Sequence, residues 1–253
     1  MTASSAAVIH LAGVGLWSPG FPNASAYLAG AADPAKKKPP VDIVASRMKR
    51  ATSLMTRTAV EVVTQAARDA GWELDSFATV FGSAHGEIQI AAEQMVMMQE
   101  DNGVVSPARF KNSVHNTAAG LFSIAATNKG FTTAIAAGMH TFPMALLEAW
   151  SLLATQEQSR VIVSICEETL PMPIVGFSDH RAMGVALALT RDEEGSRARI
   201  GPLHRGEGSA HAEPGFEGHT AEGALRIVRA VTDGYGGDVA LSNEWTVRVD
   251  AAT

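Results

Sequence analysis

From Val8 to Cys166 the chain alternates short apolar runs with longer stretches of helical periodicity, and this alternation sets the fold class. Val8 to Gly15 reads as a buried strand ending in a glycine turn, continued by Ser18-Pro19-Gly20. From Thr52 a helix is predicted, because Met55, Ala59, Val62, Val63, Ala66 and Ala70 recur at helical spacing and Gly71 stands at a C-terminal stop. Phe77–Phe81 reads as a strand, Glu87–Gln99 and Thr117–Asn128 as helices, and Phe131–Ile135 as the next strand. Gly138–Leu153 reads as the helix that follows, and Val161–Cys166 as a clean buried strand. Later come strands at Ala182–Thr190 and Arg197–Leu203, a helix at Ala221–Val231, and short strands near Val239 and at Trp245–Val249. The expected architecture is α/β, with layers around a largely parallel sheet. No repeat or separating linker is visible, so residues 1–253 are read as a single domain.

The chain is 46% hydrophobic and only 18% charged, which excludes a disordered or coiled-coil protein. Its 20 basic and 26 acidic residues give a net charge of −6, the wrong sign for a nucleic-acid binder. So much apolar surface with so few charges implies thorough burial or cover by a partner. One cysteine, Cys166, permits no internal disulfide and suits a reducing, cytoplasmic setting. No Lys or Arg precedes Lys36, so the apolar start lacks the basic region of a secretory signal, and no run is long enough for a membrane span. Residues 31–40 form a polar, proline-bounded loop in which Lys36, Lys37 and Lys38 read as solvated charges, with contact to an acidic partner as the alternative.

Generic chemistries fit poorly. Gly13-Val14-Gly15 lacks the third glycine of a dinucleotide turn, because position 18 is Ser before Pro19. Ser83 lacks the flanking glycines of a hydrolase elbow. No histidine pair has metal-binding helical spacing, and His204, His211 and His219 read as a polar loop, so neither metal nor cofactor is expected. Cys166 ends an apolar strand and reads as a buried hydrophobe, with Glu167 and Glu168 raising rather than lowering its thiol pKa.

Three ordered segments carry a resemblance. Gly82-Ser83-Ala84-His85-Gly86-Glu87 follows a strand. Ser106-Pro107 and then Ser113-Val114-His115-Asn116-Thr117-Ala118-Ala119-Gly120 open a helix. Gly130 to Gly138 forms a strand and the bend after it. In order and spacing the set resembles the N-terminal half of the β-ketoacyl synthases, condensing enzymes of the layered α/β thiolase-like fold, best matched over residues 8–170 and followed by an abbreviated C-terminal part. Val8–Pro19 resembles that family's first strand and Gly-x-Gly-x-x-Ser-Pro turn. Ser-x-His-Gly-Glu and Ser-Val-His-Asn resemble the short chain-length factors found beside type II polyketide and aryl polyene pathways.

The resemblance also exposes two departures. Family enzymes hold the acyl chain on a cysteine at a strand-to-helix elbow; aligning Gly138 with the family's glycine puts Ile135 there, with Ala134, Ala136 and Ala137 around it. A hydrocarbon offers no nucleophile, so no catalytic residue is expected at the elbow. Gly218-His219-Thr220 resembles the family's Gly-His-Thr segment, but no second catalytic-histidine segment exists, so it reads as a remnant. The resemblance therefore implies a non-catalytic subunit that forms a heterodimer with an active β-ketoacyl synthase, meets an acyl carrier protein transiently, and shapes the partner's acyl or polyene tunnel. Ile88, Ala91, Met95 and Met98 share one helical face as the candidate tunnel wall, with core or dimer contact as the plain alternative. Phe131, Thr133 and Ala134 lie on the elbow strand at the implied interface. Arg47, Lys49, Arg50 and Arg57 are either solvated charges or contacts for an acidic carrier protein. The competing reading is a reduced condensing or decarboxylating enzyme that uses His219, His115 or His140.

Overall fold

A computed structural model describes residues 8–50, 52–100, 103–172, 181–208, 213 and 215–252. The strands are β1 (Ile9–Trp17), β2 (Ala78–Gly82), β3 (Thr132–Ile135), β4 (Arg160–Glu167), β5 (Met183–Thr190), β6 (Ala198–Arg205), β7 (Gly236–Ala240) and β8 (Trp245–Ala251). The helices are α1 (Ala24–Leu28), α2 (Ser46–Lys49), α3 (Leu54–Asp69), α4 (Ile88–Glu100), α5 (Pro107–Phe110), α6 (Thr117–Ala125), α7 (Thr141–Ala154) and α8 (Glu222–Thr232). The long elements stand where apolar periodicity placed them; the short helices α1, α2 and α5 carry too few turns to show a period.

The strands form one eight-stranded sheet in the order β3-β2-β4-β5-β1-β6-β8-β7. The expectation of a largely parallel sheet is wrong. Only β2–β3 and β2–β4 pair in parallel, and the other five neighbours are antiparallel. Helical crossovers feed β2, β3 and β4, whereas β4 to β5 and β5 to β6 return without a long helix among the described residues, which favours antiparallel pairing.

Alternation along the central strands divides two hydrophobic cores. Val161, Val163 and Ile165 of β4 and Met183, Val185, Leu187 and Leu189 of β5 enter the core beneath α7 and α8. Ile162 and Cys166 of β4, with Ala186 and Ala188 of β5, enter the core beneath α3 and α6. The result is a three-layer α/β/α arrangement, as expected for the fold class. Ser53 starts α3 by accepting a hydrogen bond from the Thr56 amide at 2.9 Å, and Gly71, at φ +68°, follows its end.

Where β1 and β5 meet α3, glycines allow a close approach. A Cβ on Gly15 would lie 2.0 Å from the Val62 carbonyl oxygen, and one on Gly13 would lie 2.6 Å from that of Ala66. One on Gly184 would lie 2.5 Å from Thr58 Cγ2. The Gly13-Val14-Gly15 pair thus serves helix–sheet packing. Gly15→Ala must push α3 off β1 and should cost about 3 kcal/mol. Urea unfolding that shows a loss under about 1 kcal/mol would contradict this close approach.

Candidate functional site

One end of the sheet gathers the ends of β1, β2, β3 and β4 and the start of β5, since Gly82 pairs with Ile135 and Ile165, and Glu167 with Met183. Ile135 is the last residue of β3, and its carbonyl accepts a hydrogen bond from the Ser83 amide at 3.1 Å. Its half-buried side chain packs against the α7–α8 core. Gly138 then takes φ +56°, and a single 3-10 turn, Gly138–His140, leads into α7. Thr141 Oγ1 secures the bend by accepting from the Ala137 amide at 3.0 Å and donating to the Gly138 carbonyl at 2.7 Å. Ile135 therefore precedes a glycine-dependent strand-to-helix bend with an aliphatic side chain.

Glu167 is the polar hub behind this bend, and sequence reasoning missed it. Its carboxylate is fully buried and accepts from Ser83 Oγ at 3.0 Å, the Ala84 amide at 2.5 Å, His85 Nδ1 at 3.2 Å and Thr220 Oγ1 at 3.0 Å. It thereby joins the Ser-x-His-Gly-Glu turn to the Gly-His-Thr segment, whose Thr220 lies 53 residues after Glu167. Burial opposes its ionisation, but the His85 ring, the Ala84 amide and the Thr220 hydroxyl outweigh burial and hold it below the usual carboxylate range. The same bond raises the pKa of His85. In sequence only the spacing between Ser83 and Thr220 could have been noticed, and it carries no periodic signal.

The three histidines of the competing enzyme reading serve separate structural bonds. His115 Nε2 donates to the Ser83 carbonyl at 2.8 Å. His219 Nε2 donates to the Arg181 carbonyl at 2.9 Å, while its Nδ1 accepts from the Ala221 amide at 3.0 Å. His140 Nδ1 lies 3.4 Å from Ser242 Oγ and its Nε2 3.8 Å from Glu244. A cavity of about 590 Å³ opens beside the bend, lined by Met139, Gly208, His219, Glu222, Arg226 and Ser242. Glu222 and Arg226 face it as an ion pair at 2.5 Å.

The candidate tunnel face is not core of this chain. Ile88 and Ala91 are half-buried, but Met95 is 64% and Met98 53% exposed, and Gln94 is the buried residue of α4. A second exposed apolar group borders the open edge of β3: Phe131 before the strand, Ile124 on α6, Met139 in the bend and Leu147 on α7. Thr133 and Ala134 are half-buried, Ala134 against the α3–α6 core.

Of the basic residues, Lys49 donates to the Pro40 carbonyl and Arg57 to Thr52 and the Lys49 carbonyl, while Arg47 and Arg50 are exposed. Lys36, Lys37 and Lys38 are exposed as well. Cys166 is buried; burial pushes its thiol pKa well up and Glu167 adds to the rise, so burial exceeds the carboxylate effect named from sequence. Among the described residues no group of three His, Cys, Asp or Glu side chains is placed to hold a metal ion, and no helix is long and apolar enough to cross a membrane. His204 stands on β6, paired with Thr246 of β8, and not in the expected loop, and lies 4.0 Å from Asp238 at the surface; His211 falls outside the described residues.

The model of the β-ketoacyl synthase N-terminal domain matches residues 24–233. The chain belongs to this family. The match runs well past residue 170, so the family's pattern extends further than the sequence segments suggested. No curated protein matches the chain. Solved structures confirm the thiolase-like ketosynthase fold. A chain of the ketosynthase in complex with its chain length factor from Xenorhabdus doucetiae superposes with a TM-score of 0.73 at 18% identity, covering 95% of this chain and 99% of that one. The ishigamide ketosynthase/chain length factor gives a TM-score of 0.75 at 14% identity, covering 97% and 100%. A type II polyketide acyl-carrier protein in complex with its ketosynthase bound to the hexaketide gives 0.74 at 10%, covering 97% and 99%.

Replacing Glu167 by Gln turns an amide NH2 toward a ring of donors and should cost about 3 kcal/mol at neutral pH. The depressed Glu167 pKa stabilises the fold above the ordinary carboxylate range and loses that effect as pH falls through its lowered value. The raised His85 pKa acts oppositely, stabilising at low pH and fading as pH rises through it. In E167Q the His85 NMR titration midpoint should fall toward about 6.5; an unmoved midpoint would dissolve the pairing.

Proposed function

We propose that this protein is a non-catalytic, chain-length-factor-like subunit that pairs with an active β-ketoacyl-carrier-protein synthase and shapes its acyl or polyene tunnel. The observation that carries this reading is Ile135 at the end of β3, before the Gly138 bend. Covalent acyl transfer needs an ionisable or hydroxyl nucleophile, and the sec-butyl side chain of isoleucine has none. The partner's cysteine would perform condensation on acyl chains delivered by a transient carrier protein. This chain would supply one side of the interface.

Two further features support the pairing. Among the described residues β3 is the edge of the sheet, and exposed Phe131, Ile124, Met139 and Leu147 lie on or next to the elements around it. Long-lived subunit contacts cover such edges and apolar residues, commonly over 2,000 Å² or more, by general expectation. Met95 and Met98 add flexible apolar side chains that suit an irregular hydrocarbon chain. The histidine bonds weigh against an independent enzyme. Both ring nitrogens of His219 are engaged with backbone, so it has no proton to lend an enolate oxygen without breaking them.

Co-expression with a ketosynthase should yield a 1:1 complex by native mass measurement, and the purified chain alone should release no CO₂ from malonyl carrier protein. Turnover by the lone chain that disappears in His219→Ala would overthrow the non-catalytic reading. Within the complex, Met95→Trp or Met98→Trp should shorten the products without preventing assembly. An intact complex with unchanged product length removes α4 from the tunnel wall.

A further inference from the structure

Two buried carboxyl groups lie where α3 and α4 begin, and neither belongs to the elbow. Glu168 follows the last residue of β4. One of its oxygens accepts from the Gln89 amide at 3.2 Å and the other from the Met55 amide at 3.3 Å. A single carboxylate thus caps the first turns of both α4 and α3, where the helix dipoles favour negative charge. Glu87 immediately precedes α4 and is bound from the α3 side by Thr56 Oγ1 and Ser53. Among the described residues, its second oxygen, Oε2, is buried without a hydrogen-bond partner. Each residue is 3% exposed.

The titratable groups acting on the pair come from every side. Glu87 and Glu167 both disfavour ionisation of Glu168, and His115 favours ionisation of Glu87. Glu167 is itself engaged by His85 and Thr220. Burial is the largest influence on both groups: it raises Glu87 above its ordinary value and lifts Glu168 to about 7. Two ionised carboxylates at this site would repel one another away from water.

We propose that Glu87 and Glu168 together retain one proton and form a pH-dependent latch that seats the first turn of α4 against α3. With the proton held, one negative charge is spread over the two helix starts. When solvent base removes it, both carboxylates are charged, and α4 gains freedom at its N-terminus. Because α4 carries Met95 and Met98, the latch would also set the wall presented to a partner; that consequence rests on the function proposed above.

The sign follows from the raised values. The stabilising effect is complete below the ordinary glutamate pKa and is lost as pH rises through the folded value, near 7 for Glu168. Amide hydrogen exchange of the full chain, read over residues 88–100 and referenced to α7, should be followed from about pH 5.5 to about pH 8.5. Protection of α4 should fall roughly tenfold beyond the change in α7, centred near neutrality. Glu87→Gln keeps an acceptor for Thr56 and removes the neighbouring charge while Glu168 stays buried, so it should move the midpoint of this response to lower pH. Glu168→Gln should flatten it, and if that variant fails to fold, the midpoint shift in Glu87→Gln decides. Wild-type protection that tracks α7 at every pH overturns the latch, as does an unmoved midpoint in Glu87→Gln. Co-purification with a ketosynthase at both ends of the range is a separate readout. A latch response without any complex would sink the functional reading and leave the latch standing.

Discussion

The contact on which the rest of this structure depends is the backbone-to-backbone approach of α3 to the sheet. Gly13, Gly15 and Gly184, with Ala186 and Ala188 beside them, leave a shallow face with no room for larger side chains. The opposite face of β5 carries the larger Met183, Val185, Leu187 and Leu189, packed in the core with α7 and α8. This asymmetry fixes α3 along the sheet, so that Ser53, Met55 and Thr56 arrive at the strand ends where Glu87 and Glu168 wait. Packing at the middle of the helix thereby sets polar geometry at its start.

Above the strand ends, a second level of organisation is made by hydrogen bonds. Glu167 joins turns that are far apart in sequence, and its neighbour Glu168 joins two helices. Adjacent glutamates pointing to opposite sides of one chain is the two-residue alternation of a strand continued past its end. One is held ionised by donors, and the other is driven toward neutrality by burial. Histidines serve this framework as donors: His85 to a carboxylate, His115 and His219 to carbonyls.

Much of this was legible in the sequence, for identifiable reasons. The long helices announced themselves by period and by punctuation such as Ser53 and Gly71, and the central strands by unbroken apolar runs. The bend at Gly138 and the aliphatic residue before it were readable from one ordered segment. Pairing direction was not, because residues 183–190 look the same in a parallel or an antiparallel ladder. The exposure of Met95 and Met98 was hidden too, since an apolar stripe on a helix does not say whether its cover lies in the same chain. The role of Glu167 was invisible because its partners are brought together only by the finished sheet.

Cys166 is the lone sulfhydryl of the whole sequence, sealed beneath α3 with its ionisation suppressed. Native chain should therefore be mute toward alkylating and disulfide reagents, which attack the thiolate. In any mixed assembly, a fluorescent maleimide would illuminate the companion polypeptide alone. Labelling of this chain would in turn be a clean chemical signal that α3 had come away from the sheet.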